Sequence, residues 1–382
     1  MKIISVETFE LRHSLEQPYG VACAYGHERS TFLVKITSDD GTAGWGETAP
    51  AFPFLTAMVE RQFRPMLLGQ DPRHFRRLWE RLWGPNFGNG FAVGAVSTAL
   101  LDLRGKLLGV SIAEQFGGPM RDRVLAYASG MSYAPGVDPA DKNPAEARAL
   151  AARGFRAMKM RIGGRAGEDD LAGAEGVRAA VGPDVLLLAD GNGGYTLSSA
   201  LRMGRELERL GFFWFEEPLP QVNGHYSGYE ALRTKLNIAL AGGEGTNSRP
   251  TAHALLNRGC FDLIQPDLTI CGGVSECLFI GELARLHGVR LAPHCFGGAI
   301  SLAATLHVLA LLPEPDLSLT PEPLMLELDV NENPFRDRIV KNAGTLAMGP
   351  DGMLTDGCVE IPTGPGLGIE IDESALDAYR TR

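Results

Sequence analysis

Apolar and polar positions alternate along this chain with two distinct rhythms. From about residue 124, short apolar runs recur, each followed by a longer segment whose apolar positions fall three and four apart. "RVLAYASGM" precedes "NPAEARALAARGF", "RAMKMRIG" precedes "EDDLAGAEGVRAAVG", and "DVLLLADGN" precedes "LSSALRMGRELERLG". The pattern continues through "FFWFEEPLP", "IALAGGEG", "FDLIQPDLT" and "VRLAPHCFG" to a last run near "LMLELD". The short runs read as strands and the segments between them as helices, many closed by Gly. Eight strands with intervening helices predict an α/β fold, a parallel β/α barrel rather than an open sheet.

The first 123 residues follow the other rhythm. "KIISVETFEL" and "STFLVKITSDDGTAGWGETA" read as a β-meander, with Asp40-Gly41 as a hairpin turn. Helical spacing follows in "FLTAMVERQFRPMLLG", "PRHFRRLWERLW" and "AVSTALLDLRGKLLG". The chain therefore divides into an α+β unit over 1–123, a barrel over 124–345, and a segment over 346–382 expected to pack back on the first unit.

Charged residues break the strand runs at particular places. In "GFRAMKMRIGG", Lys159 and Arg161 stand two apart, so both side chains point to one face of a stretch otherwise built for burial. In a barrel of this kind, residues at the C-terminal strand ends face the mouth. That is where Lys159, Arg161, Asp190, Asn192, Glu216, Glu244, Asp267, His294 and Glu327 fall. From Asp190 to His294 the intervals are 26, 28, 23 and 27 residues, about one strand–helix unit each. Asp190, Glu216 and Glu244 end three consecutive strands, and oxygen ligands without Cys or His suit Mg²⁺. The competing arrangement is an ion network of those carboxylates with Lys159 and Arg161. One divalent cation and three carboxylates sum to −1, the two cations bring the site to +1, and an anionic substrate restores neutrality. Asp267 can hold one imidazole nitrogen of His294 and fix its tautomer. Glu327, if protonated, could donate to a developing oxyanion. Glu217 falls on the opposite strand face from Glu216 and is assigned a supporting role.

Composition narrows the partners. The net charge is −10 and no basic run exists, which excludes nucleic acid. No apolar stretch approaches the ~20 residues of a membrane span, and the N-terminus lacks the pattern of a signal peptide. Six scattered Cys without metal spacing indicate reduced thiols in a cytoplasmic protein.

"MKMR", "LADGN", "WFEEP", "GGEG", "IQPDLTICGG", "APHCFGG" and "LELDVNENPFRD", in that order, resemble the mandelate racemase subgroup of the enolase superfamily. The resemblance spans almost the whole chain and is strongest toward the galactarolactone cycloisomerase and acid-sugar dehydratase branches. It implies a capping domain, a modified (β/α)7β TIM-type barrel and a homo-oligomer. It also implies Mg²⁺ held by Asp190, Glu216 and Glu244, a His294/Asp267 acid–base dyad, Glu327 supporting the enolate oxygen, and Asn192 against substrate. Capping loops around Tyr19 to Arg29 and Ala49 to Leu55 would set specificity, with Tyr25, His27, Phe52 and Phe54 as candidates to shape the pocket. The family's second-strand Lys-x-Lys is Lys159-x-Arg161 here. A guanidinium stays protonated and makes a poor base, while Lys159 remains a candidate if its neighbours depress its pKa. The implied activity is a Mg²⁺-dependent lyase or isomerase that removes the α-proton of a hydroxylated carboxylic acid through an ene-diolate. The outcome would be dehydration or lactone cycloisomerisation. Two alternatives stand: a racemase or epimerase using Lys159 and His294, and a metal-binding barrel without catalysis.

Overall fold

The computed structural model describes all residues except 85–88, 222–225, 314–318, 320, 342–345, 347, 349–351 and 382. The expected barrel boundary at residue 345 lies outside the described residues.

Three antiparallel strands begin the chain: β1 (Ile3–Gly20), β2 (Tyr25–Ser38) and β3 (Ala43–Thr48). The Asp40-Gly41 turn joins the last two, and Gly41 takes φ +86°, a conformation glycine adopts without a Cβ penalty. The helix Gly90–Leu108 packs against β3. It begins where the Asn89 side chain accepts from the Ala92 N–H and ends at left-handed Gly109. Contact is so close that a Cβ on Gly46 would sit 1.8 Å from the Ala95 carbonyl oxygen. Glycine in "GWGET" is therefore a packing requirement rather than a turn.

Eight parallel strands follow: β4 (Arg123–Ser129), β5 (Ala157–Arg161), β6 (Leu186–Asp190), β7 (Trp214–Glu216), β8 (Ala239–Gly242), β9 (Leu263–Ile264), β10 (Arg290–Leu291) and β11 (Met325–Asp329). They pair in chain order, and β11 returns to pair with β4. This curled parallel sheet with alternating helices, preceded by an antiparallel capping sheet, is the α/β barrel architecture expected from the residue pattern. Its interior is packed by Tyr127, Leu188, Trp214, Leu263 and Met325, with Tyr127 edge-on to Trp214 at 5.4 Å. That plug forces the polar strand-end residues into one layer. Arg161 pairs in register with Asp190, and Asp190 with Glu216.

The C-terminal segment contacts both parts. β12 (Cys358–Glu360) pairs antiparallel with β4. Asp102, buried in the helix Gly90–Leu108, accepts from the Trp45 and Leu367 N–H groups, each at 2.8 Å, and from Lys106. His307, fully buried in the barrel helix Ala299–Leu311, bonds through Nε2 to the Leu367 carbonyl at 3.2 Å. Burial lowers this imidazole to about 4. The folded state thus holds His307 neutral while the unfolded chain protonates below about 6.5. Stability is unaffected above that pH and falls as pH drops toward 4, by roughly 3 kcal/mol at most. His307→Gln keeps an N–H donor without titrating, so its urea midpoint should change less between pH 6.5 and 4 than that of the parent. Equal acid slopes would refute the assignment.

Candidate active site

Lys159 and Arg161 leave the same face of β5 and meet the carboxylates of neighbouring strands. Lys159, with no exposed surface, places Nζ 2.6 Å from Glu216 Oε1, 2.8 Å from Glu327 Oε1 and 3.6 Å from Asp190 Oδ2. Arg161 Nη1 bonds to Asp190 and reaches the Asn192 Oδ1 at 3.4 Å, while Nη2 donates to Ser129 Oγ at 3.3 Å. The cations therefore exist to neutralise strand-end acids. Trp214, from the interior plug, donates to Glu216 Oε2 at 3.0 Å.

The electrostatics follow from this placement. Burial alone would lower the Lys159 ammonium, but Glu216, Glu327 and Asp190 outweigh it and raise it. Arg161 pulls the other way, as expected of a neighbouring cation. Glu216 is pushed by burial to about 7, against the opposing pull of Lys159 and with the help of Asp190 and Glu327. Burial would raise Glu327 too, yet Lys159, His294 and Arg161 hold it below the ordinary carboxylate range. Glu327 also accepts the Cys295 N–H at 3.1 Å, a contact that favours its ionised form.

His294 follows β10. Its Nδ1 lies 2.7 Å from Asp267 Oδ2, and its Nε2 lies 3.5 Å from Glu244 and 3.9 Å from Glu327. Asp267 does two things at once: Oδ1 caps the short helix Leu268–Cys271 through the Thr269 N–H, and Oδ2 orients the imidazole. Burial would lower His294, but Glu244 and Glu327, with the bond to Asp267, raise it well above its ordinary value.

A cavity of about 270 Å³ opens beside the dyad, lined by Tyr19, Arg29, Glu47, Glu244, Asp267 and His294 among others. It is at the small end of ligand clefts, which run from roughly 300 Å³ upward. Asn192 stays with Asp190, donating to it through both N–H groups. Tyr25, His27 and Phe54 do not line the cavity; all three are exposed, and Phe54 stacks on Phe52 outside it. The capping contacts come from other residues of the same expected loops, Tyr19, Arg29, Ala49 and Pro50, and from Glu47, which was not expected. Arg29 bonds Asp329 at 2.6 Å and sits over the Tyr19 and Phe296 rings at 4.6 and 4.4 Å. Glu47, at the end of β3, accepts from Thr31 Oγ1 and from the Gly298 and Ser301 N–H groups that begin the helix Ala299–Leu311. Burial raises its carboxyl, and the helix terminus favours the ionised form.

Glu217, assigned a supporting role, accepts from the Gln221 side chain at 2.6 Å. Its backbone turns left-handed at φ +40°, so strict strand alternation ends there. Its carboxyl is raised by burial first, then by the nearby charges of Glu244, Asp190 and Glu216. Six carboxylates (Asp190, Glu216, Glu217, Glu244, Asp267 and Glu327) thus share one region with two fixed cations and one imidazole. No three such side chains are gathered at metal-ligand spacing among the described residues; the ion network with Lys159 and Arg161 is the arrangement present. The donor chemistry nevertheless fits a hard divalent cation, since the acids at the ends of three consecutive strands offer only oxygen and carboxylates outnumber the local positive charge.

Comparison with known proteins places this architecture. Residues 3–117 match the mandelate racemase / muconate lactonizing enzyme N-terminal domain, and residues 143–375 match the enolase C-terminal domain-like family. A D-galactarolactone cycloisomerase of Agrobacterium fabrum is 38% identical over 100% of this chain and 99% of its own length. An arabinonate dehydratase of Saccharolobus solfataricus is 31% identical over 93% of this chain and 92% of its own. The solved 3,6-anhydro-D-galactonate cycloisomerase of Zobellia galactanivorans superposes with a TM-score of 0.85 at 31% identity, covering 100% of both chains. A racemase from Streptomyces coelicolor A3(2), solved with bound magnesium, superposes with a TM-score of 0.84 at 25% identity, covering 99% of this chain and 100% of its own.

Proposed function

The chain belongs to the mandelate racemase / muconate lactonizing enzyme family of the enolase superfamily, and on that footing we propose that it opens an acid-sugar lactone or dehydrates an acid sugar by α-proton removal. One observation carries the reading: His294, held at Nδ1 by Asp267, lines the cavity, while the second strand, which carries a second lysine in the family, carries Arg161, 5.7 Å from the ring of the cavity residue Phe296. His294 takes the α-proton, and the electron pair moves toward the substrate carboxylate. The bond from the β-carbon to oxygen then breaks, and the imidazolium returns its proton to the departing oxygen or to the β-carbon. If that oxygen closes a lactone the ring opens; if it is a hydroxyl, water leaves. Either path yields a keto product.

Asp190, Glu216 and Glu244 are the residues that would hold Mg²⁺, with Glu217 near them. Bound there, the cation would offset the carboxylate field that keeps His294 protonated and would supply charge against the substrate carboxylate. Asn192 and Arg161, both bonded to Asp190, are the residues proposed to meet the substrate carboxylate once the cation is bound. Lys159, buried and claimed by Glu216 and Glu327, is a charge balancer here, which disfavours the two-base racemase. Free thiols at all six cysteines support a cytoplasmic setting.

The test is a screen of acid sugars and their lactones with Mg²⁺ present and with chelator, followed by product analysis in D₂O. A keto product formed only with the metal is expected. Inversion at the α-carbon with no elimination would overturn the proposal. Arg161→Lys should raise KM by roughly tenfold with a smaller loss of kcat, because the planar two-donor fork is lost while the charge remains. The new amine should also raise deuterium exchange at the α-carbon. Abolished turnover with no exchange at any pH would show that Arg161 is indispensable in another way.

A further inference from the structure

The two members of the dyad ride on separate segments. Asp267 opens the short helix Leu268–Cys271 after β9, and His294 lies between β10 and the helix Ala299–Leu311. Their bond, 2.7 Å from His294 Nδ1 to Asp267 Oδ2, therefore depends on where two unconnected segments are held. One strand end of the capping sheet holds both. Glu47 and Thr48 end β3, and successive strand residues project to opposite sides, which lets neighbouring positions serve two different segments.

Glu47 takes the His294 side. Its carboxylate accepts from the Gly298 N–H at 2.6 Å, the Ser301 N–H at 2.9 Å and Thr31 Oγ1 at 2.7 Å. Gly298 stands four residues on from His294, and a Cβ there would lie 2.8 Å from Glu47 Oε1, so the approach leaves little slack. Thr48 takes the Asp267 side. Its hydroxyl donates to the Thr269 carbonyl at 2.8 Å, and the N–H of the same Thr269 donates to Asp267 Oδ1 at 2.7 Å. Glu47 is only 2% exposed, and Thr48 is wholly buried. A buried carboxylate is a costly means of docking two units that apolar packing would also join. What it adds is direction, since each oxygen fixes particular donors. β3 is itself firmly seated, wedged on the helix Gly90–Leu108 at Gly44 and Gly46.

We propose that Glu47 and Thr48 are positioning residues for the acid–base pair, so that the capping unit fixes the geometry of the dyad as well as covering the cleft. Glu47 borders the cavity, yet both its oxygens are taken by the protein's own donors, and neither residue takes part in the reaction. Glu47 sets the segment that carries His294, Thr48 sets the turn that carries Asp267, and the bond between the two side chains keeps its length only while both are seated. The effect on turnover rests on the reading of His294 as the acid–base group; the effect on the geometry of the pair does not.

Three variants of the intact protein test it. Thr48→Val keeps the branched shape without the hydroxyl, Thr48→Ser keeps the hydroxyl, and Glu47→Gln brings an amide nitrogen that cannot accept from an N–H. The first readout is the downfield proton NMR signal of the hydrogen between His294 Nδ1 and Asp267 Oδ2, assigned by its loss in His294→Asn. It should shift or broaden in Thr48→Val and Glu47→Gln and return to the parent position in Thr48→Ser. The second readout is turnover on the identified substrate with Mg²⁺. There kcat should fall roughly tenfold with KM nearly unchanged, less than the ~10²-fold that a misplacement of about 1 Å can cost. Placed in His294→Asn, the same two changes should lower kcat no further, because the group they position is gone. Losses that multiply in full with His294→Asn overturn the proposal, as does an unmoved signal in variants that keep the parent's urea midpoint. If Glu47→Gln does not fold, the two Thr48 variants decide. A shifted signal with unchanged kcat supports the positioning and counts instead against His294 as the acid–base group.

Discussion

His294→Asn is expected to lower kcat by roughly 10²-fold or more, the scale of a positioned acid–base group, while leaving the urea midpoint nearly unchanged. The asparagine can still reach toward Asp267, and Asp267 keeps its cap on Thr269 at 2.7 Å, so the local backbone has no reason to move. What disappears is the one titrating nitrogen facing Glu244 and the cavity. The pH–rate profile of the variant should lose the limb that reports the imidazole. Turnover close to the parent on the identified substrate would remove His294 from the mechanism.

Lys159→Met should destabilise the protein by about 3–5 kcal/mol, the usual cost of stripping one partner from a buried ion pair. The side chain is wholly buried and holds Glu216 and Glu327 within 2.8 Å. Removing the ammonium leaves two buried carboxylates without their nearest cation, with the more distant Arg161 and His294 left to answer them. Lys159→Met with Glu327→Gln should recover part of the loss, because the double variant removes one of the stranded charges and the two sites are in contact. A single-variant loss below about 1 kcal/mol, or no recovery in the pair, would show that Lys159 does not balance those acids.

The strand-end residues are legible in the chain because a parallel barrel repeats one unit. A charged position recurring once per strand–helix repeat must return to the same end of the barrel. Asp190, Glu216, Glu244, Asp267 and His294 therefore stand out by spacing, and Glu327 by its place in the last strand run. The register of β5, β6 and β7 then places Arg161, Asp190 and Glu216 in one layer. The side-chain alternation that puts Lys159 and Arg161 on one face is equally local.

The cap is where that reasoning stops. Tyr25 and His27 look like pocket residues by type, yet β2 begins at Tyr25 and the hairpin continues past Gly20, which leaves both in solvent. Arg29, Tyr19 and Glu47 enter the cleft because the three-stranded sheet lies over the barrel mouth, a contact between segments hundreds of residues apart. Glu47 meets Gly298 and Ser301 across such a separation, and no periodicity within either segment encodes it. Glu217 escapes the alternation rule because its backbone turns left-handed at the strand end.

By itself, then, the sequence determined the strand–helix order, the one face shared by Lys159 and Arg161, and the set of acids gathered at the barrel mouth, since all three follow from periods of two, three to four, and one repeat unit. Only the tertiary structure decided how those charges pair, which are ionised, and which capping residues close the cleft. Charge state depends on burial and on distances between strands, and both are set by how whole layers pack rather than by any local run of residues.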